Sequence, residues 1–203
     1  MTIVDIETQG LTDEVFATLF TEAHTAHSFT EQPVSDETAE AIYELLKMAP
    51  TEMNTQPLRV TWVRSHEARE SLAEVMNEGN KAKTLEAPLT AILSMDTNWH
   101  HHLGTLAPWA EERMGHFEEN PLVRETMARN NSFIQVGYFI MAARALGLSA
   151  GPMSGFNHEA LDARFHGDSG QHALVVVNLG YPHEGSFRPR SGRLSTETAT
   201  RTL

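Results

Sequence analysis

Cysteine is absent from this chain, which removes a disulfide scaffold, a zinc–thiolate site, an iron–sulfur cluster and a cysteine nucleophile in one step. Positive charge is scarce: 15 Lys and Arg stand against 27 Asp and Glu, for a formal net charge of −12. That balance argues against a nucleic-acid or anionic-membrane partner. No apolar run approaches the roughly 20 residues of a membrane span. Residues 1–7 also lack the basic start and apolar core of a signal peptide. The expectation is therefore a soluble, cytoplasmic protein. Neither the phosphate loop G-x-x-x-x-G-K-[ST] nor the dinucleotide fingerprint G-x-G-x-x-G occurs. With 203 residues the chain can bury roughly 70% of its unfolded surface, so it needs no staple to fold.

What is present is helical and strand patterning mixed along one domain, with an N-terminal arm over residues 1–10 and a polar tail over 185–203. Thr12 is placed to cap a helix reaching Ala26, with Val15, Phe16, Leu19, Phe20 and Ala23 on one face. Ser35 caps a second helix that stops before Pro50, and a polar loop follows between Pro50 and Pro57. Residues 59–64 and 89–95 read as strands, and 173–179 as an interior strand. Between the first two strands Ser65 caps a helix toward Glu78; Gly79 and Asn80 then punctuate before a short helix over 81–86. Residues 96–120 read as a helical excursion. Asn120-Pro121 opens a long helix with room for a kink near Asn130, and residues 133–146 are apolar on most sides, as in a helix buried between elements or subunits. Asn157 and Ser195 cap two further short helices. The class is α+β, with helices around a small mixed sheet.

That long helix runs into Gly147, Gly151, Pro152 and Gly155, four breakers within nine positions. They predict a stiff loop whose N–H groups at Met153, Ser154 and Gly155 point outward, suited to a flat heteroaromatic ligand. Ser154 lies one place late for the G-x-S-x-G elbow, so a serine hydrolase is not supported. The run His100, His101, His102 invites a metal, yet adjacent residues face different directions on a helix or strand. No H-E-x-x-H accompanies it. The expectation is no metal site, with these histidines exposed or at a pocket rim. Lys81 and Lys83 beside Asn80, and Arg188, Arg190 and Arg193 in the tail, are local basic clusters in an acidic chain. Each is either an anion site or ordinary surface charge.

In order and spacing these pieces resemble the nitroreductase family, FMN-dependent homodimeric oxidoreductases. The resemblance runs through Ala23 to Phe29, then Pro33 to Thr38 and Ala49 to Thr51 with Asn54 to Pro57. It continues through Gly79 to Leu85, Arg144 to Leu148, Gly151 to Phe156 and Arg193 to Ser195. The stretches Gly-Pro-Met-Ser-Gly-Phe and Gly-Asn-x-x-Lys-Thr-Leu are most similar to the branch of malonic semialdehyde reductases, or 3-hydroxypropionate dehydrogenases, of pyrimidine breakdown. The resemblance implies that Asn80 and Lys83 contact the flavin ring and ribityl chain. It implies that Pro152, Met153, Ser154 and Gly155 form the backbone edge at N5 and O4, and that Arg193, with Arg190, anchors the phosphate. Thr51, Asn54 and Gln56 would reach FMN from the other subunit.

One departure stands out. His24, with Ala26 and Ser28, occupies the place of the family's arginine-rich phosphate motif, so weaker FMN retention is expected. The implied reaction is hydride transfer from NADH or NADPH through flavin N5, with no catalytic side chain identified. The acceptor is malonic semialdehyde, with Arg129 as the candidate for its carboxylate; Arg129 reads equally as a helix-surface salt-bridge residue. A nitroaromatic or quinone acceptor walled by Trp99 and Trp109 is the alternative. A flavin-binding protein without turnover is a third.

Overall fold

The computed structural model describes residues 10–203, so all of the expected N-terminal arm but Gly10 lies outside the described residues. Four strands form one sheet: β1 (Leu58–Val63), β2 (Leu89–Asp96), β3 (Ser149–Met153) and β4 (Gln171–Gly180). Their order is β1-β2-β4-β3 and every pairing is antiparallel. The expected mixed sheet is therefore corrected. β2 and β3 run alike, but β4 lies between them, so no parallel pair forms.

The helices are α1 (Asp13–Phe16), α2 (Asp36–Leu46), α3 (His66–Val75), α4 (Glu78–Glu86), α5 (Leu103–Leu106), α6 (Met114–Glu119), α7 (Pro121–Ala145), α8 (His158–Phe165) and α9 (Thr196–Ala199). The caps read from the sequence are formed at four starts: the side chains of Ser35, Ser65, Asn157 and Ser195 each accept an N–H three residues on. α2 and α7 cover one face of the sheet, where Ile42, Leu46, Phe139 and Ala143 pack on Ala91, Leu93, Val175 and Val177. α3 and α8 cover the other, with Leu72, Val75 and Leu161 against Val63, Ile92 and Val176. Both faces of the central strands are thus dry, which is why β2 and β4 read as near-continuous apolar runs. Truncating a fully buried ring such as Phe139 to alanine would cost about 3–5 kcal/mol.

Several boundaries differ from expectation. The first helix stops after α1 and a π turn over Ala17–Thr21, well before Ala26. Arg190 takes the carbonyls of Thr21 and Ala23, at 2.6 and 2.9 Å, that a continuing helix would use. Gly79 and Asn80 do not punctuate; they sit in the first turn of α4. α7 is unbroken through Asn130. Its buried polar residues instead satisfy a neighbouring loop: Asn131 Oδ1 accepts from Glu52 N at 2.7 Å, and Gln135 Oε1 accepts from Leu58 N at 3.0 Å.

The stretch after α7 is not a loop throughout. Gly147, at φ +79°, closes the helix: its N–H reaches Arg144 O at 3.0 Å, and Leu148 N reaches Ala143 O at 3.0 Å. Ser149–Met153 then joins the sheet as its edge strand. Pro152 has no N–H to donate, and an edge is where a strand tolerates that. No helix among the described residues is long and apolar enough to cross a membrane.

Candidate functional site

The chain leaving the π turn and the tail after β4 lie side by side. Besides the two bonds from Arg190, His27 N donates to Ser186 O at 3.2 Å and Phe29 bridges Pro182. Between them opens a cleft of about 270 Å3 lined by His24, Thr25, His27, Arg144, Arg188, Arg190 and Arg193. A second lobe of about 400 Å3 shares His27 and Arg188 and adds Gly79, Ala82, Lys83 and Glu86 of α4. The two lobes make one groove.

Four arginines and a lysine therefore face common space in a chain of net charge −12. Among the described residues none of the five is in a salt bridge. Backbone oxygens occupy them instead: Arg144 donates to Leu19 O at 2.9 Å, and Arg193 to Ser191 O and Gly192 O at 2.9 and 3.1 Å. Burial and the crowding of like charge are felt at Lys83, His27 and Arg144. Burial, then Arg188, pushes the Lys83 pKa down; burial, then Arg188 and Lys83, does the same to His27. Burial, then Arg190, lowers Arg144. The donor set suits a ligand with a compact multiple anion, which would pair with cations that no protein carboxylate bridges among the described residues.

The groove meets the end of β3 through Asn80. Its Nδ2 donates to Gly155 O at 2.9 Å, so Lys83, one turn on, is held in fixed relation to Ser154 and Gly155. A side chain at Gly155 has no room, because its Cβ would stand 2.9 Å from Asn80 Nδ2 and 3.0 Å from Asn77 Nδ2. Among the described residues the N–H groups of Ser154 and Gly155 donate to no protein acceptor. Met153 differs. Since Pro152 cannot donate, ladder alternation gives the hydrogen-bonded place to the pair Met153–Val176. The three outward donors expected from the sequence are corrected to two. The Met153 side chain is core, and Pro152 is exposed on the edge.

Of the residues singled out in the sequence, the fold thus gathers His24, Lys83, Arg190 and Arg193 in the groove, with Asn80, Ser154 and Gly155 at its margin. The His24 ring packs on Phe187, centroids 5.4 Å apart. His27, Arg144 and Arg188 complete the groove and were not assigned to it. Arg188 shared the tail cluster, and Arg144 is the one cation in the apolar stretch 133–146, which was the available signal.

Thr51, Asn54 and Gln56 do not join these residues within one chain. They precede β1, at the sheet edge opposite β3, about 14 Å away across three strand spacings. Their loop is strained, with positive φ at Met53, Asn54 and Gln56 (53°, 54° and 40°). It is held by Gln56 N to Thr51 Oγ1 at 3.2 Å, Gln56 Nε2 to Asn54 Oδ1 at 2.8 Å, and Asn54 Nδ2 to Leu106 O at 2.8 Å. Gln56 also borders a separate cleft of about 440 Å3 with Tyr43, Arg59, Trp62, His102 and Thr105. Arg59 there is already paired with Asp96 at 2.7 Å.

Arg129 stands on the outer side of α7, its guanidinium 5.2 Å from the Phe133 ring centroid. Neither expected tryptophan walls a cleft: Trp99 is fully buried against Phe117, and Trp109 is 70% exposed. His102 does sit at a rim, but His100 is fully buried, contrary to expectation, and its ring lies 4.2 Å from that of His101.

Comparison with known proteins agrees with the geometry. Residues 21–181 match the sequence pattern of the Nitroreductase family. A protein of Streptomyces coelicolor, named provisionally as an NADH dehydrogenase/NAD(P)H nitroreductase, is 45% identical over 186 residues, 92% of each chain. A Leptothrix cholodnii protein of the same provisional name is 44% identical over 91% of this chain and 94% of its own. Among solved structures, a provisionally named nitroreductase of Bacillus subtilis superposes with a TM-score of 0.82 at 19% identity, over 93% of this chain and 98% of that one. Another from Exiguobacterium sibiricum, solved in complex with FMN, gives 0.82 at 17% identity, over 97% and 100%.

Proposed function

The chain belongs to the nitroreductase family, and from that premise we propose that it is an FMN-dependent NAD(P)H oxidoreductase. The observation that carries this reading is the groove of cations without salt-bridge partners, with two free backbone donors linked to α4 through Asn80.

The residues present fit FMN. Arg188, Arg190 and Arg193, with Arg144 and His24, supply a donor set for the phosphate, and guanidinium forks match phosphate oxygens in pairs. Lys83 supplies a positive charge, and the Ser154 and Gly155 N–H groups supply neutral donors, for the edge of a planar ring. When bound, FMN supplies the hydride chemistry between NADH or NADPH and the acceptor. The protein's own part is fixed electrostatics. Lys83, already short of a counter-charge, stabilises negative charge arising near it without reorganising. Asn80 keeps that lysine in register with the two donors.

The second copy belongs to the same proposal. Phe133, Ile134 and Tyr138 on α7 are each more than 40% exposed, an apolar stripe that a homodimer would cover. A partner chain would also bring its Thr51, Asn54 and Gln56 to a groove they cannot reach at home, and would give Arg129 a setting other than solvent.

For the acceptor we keep malonic semialdehyde, reduced to 3-hydroxypropionate, supported by the sequence of Gly151 to Phe156 and of Gly79 to Leu85. Nitroaromatics and quinones are the second reading, supported by the names of the relatives. The FMN-reconstituted protein should oxidise NADH or NADPH faster with one acceptor class than without acceptor. Turnover with the aldehyde alone supports the first reading, and with a nitroaromatic alone the second. A flavin-loaded protein inert to both leaves flavin binding without turnover and overturns the enzymatic proposal.

A further inference from the structure

Three side chains far from the groove's chemistry converge on one point. In the 3₁₀ turn Trp99–His102 two consecutive imidazoles lean on each other, ring centroids 4.2 Å apart, and both meet α6. His100 Nε2 and His101 Nε2 lie 2.8 and 2.6 Å from the same oxygen, Glu118 Oε1. Three donor atoms, two of nitrogen and one of carboxylate oxygen, thus fall within 4.8 Å of one another. His100 is 0% exposed, and neither of its ring nitrogens has a properly directed hydrogen bond. A fully buried imidazole 2.8 Å from a carboxylate, yet without a well-directed hydrogen bond to it, is a poor way to build a core but a good way to build a ligand set.

We propose that His100, His101 and Glu118 bind a divalent transition-metal ion of the zinc class, which ties the turn Trp99–His102 to α6. Two imidazoles and a carboxylate are ligands for zinc and its first-row neighbours, not for magnesium or calcium, which take oxygen. Tetrahedral zinc with arms of about 2.0–2.1 Å holds its ligand atoms about 3.3 Å apart. The contacts at 2.8 and 2.6 Å need to open by about 0.5 and 0.7 Å, which Glu118, with a side chain 50% exposed, has room to do. Its other oxygen, Oε2, accepts from Arg124 Nη1 at 3.1 Å, which orients the carboxylate from outside as the partners of metal ligands commonly do. His101 is 51% exposed, so solvent reaches the fourth position. The site is structural. It steadies the excursion whose α5 carbonyl at Leu106 holds Asn54. The competing account is a carboxylate accepting from two imidazoles, which takes up no metal.

Calorimetric titration of untagged, EDTA-stripped, FMN-loaded protein with zinc chloride separates the two. One zinc per chain should bind with a micromolar or tighter Kd, and thermal unfolding should rise by several degrees with zinc but not with magnesium. His100 is in the core and its loss endangers folding, so the half-exposed ligands carry the test. His101→Ala and Glu118→Gln should each weaken zinc binding at least tenfold and abolish the zinc-dependent rise in Tm, with FMN content unchanged. Absence of stoichiometric zinc binding overturns the proposal, and so does binding that both variants retain at the wild-type Kd.

Discussion

His24 stands among four arginines at the one place where the family resemblance leads one to expect a fifth cation of fixed charge. Its ring is braced by Phe187, so the position is ordered and a longer planar side chain has a surface to lie on. His24→Arg should tighten FMN binding about tenfold, the worth of one charge-assisted fork after some repulsion from its neighbours, read by fluorescence titration. An unchanged Kd would place His24 away from the phosphate. Arg188 is the hinge of the electrostatics, since it depresses both Lys83 and His27 and borders both lobes. Arg188→Ala should weaken FMN at least tenfold while leaving the Tm of the flavin-free protein unchanged or raised. That pattern identifies a residue held for binding at some cost to the empty fold. A fall in apo Tm of several degrees would instead make Arg188 a structural cation.

At the scale of elements, the end of β3 separates side-chain from backbone chemistry. The Ser154 hydroxyl is exposed and makes no hydrogen bond among the described residues, so Ser154→Ala should keep nearly all activity. Gly155→Val pushes Asn80 and Asn77 aside and parts Lys83 from the free donors. It should lower activity more than tenfold and Tm by a few degrees, and full activity in that variant would sink the role given to this edge. Much of this was legible from residue type and spacing. The caps at Ser35, Ser65, Asn157 and Ser195 are local signals, and the apolar runs of β2 and β4 are too. The strand at Ser149–Met153 was not legible, because glycine and proline at those positions read as breakers. Only its partner β4 and its edge position make them acceptable. Likewise the end of the first helix was set by Arg190, almost the whole chain away. The convergence of His100 with Glu118 is a tertiary contact between a turn and α6 that no periodicity announces.

The groove's residues come from the chain's two ends, from α4 and from the last turn of α7, and a further three wait on the opposite sheet edge. That geometry makes the site a property of the whole molecule and, by the proposal, of two molecules. Ile134→Asp, a charge set in the exposed stripe of α7, should yield a monomer in sedimentation and lower FMN affinity about tenfold. A monomeric variant that keeps wild-type FMN affinity would remove Thr51, Asn54 and Gln56 from the site.

Acid reaches both the fold and the groove through two histidines whose pKa values lie below the ordinary value. His166, beside Ser94 Oγ at 2.8 Å, has its pKa pushed below 6.5 chiefly by burial, and His27 likewise by burial and then by Arg188 and Lys83. Above pH 6.5 the folded and unfolded chains both hold these rings neutral, and nothing is lost. Below it the unfolded chain takes up protons that the folded one resists, so stability falls with acid, by at most about 1.4 kcal/mol per pH unit for each ring. Tm should therefore drop between pH 7 and 5. Carboxylates such as Glu37 and Glu67, lowered by backbone hydrogen bonds and then by the capping Ser35 and Ser65, withdraw their contribution only in a lower window, below about 4.5. His166→Gln keeps a partner for Ser94 and removes one proton, so its Tm should fall less steeply over the same range. FMN should flatten the slope as well, for a phosphate beside His27 raises the pKa that Arg188 and Lys83 depress. Slopes identical with and without FMN, at saturating flavin, would take His27 away from the phosphate end of the groove.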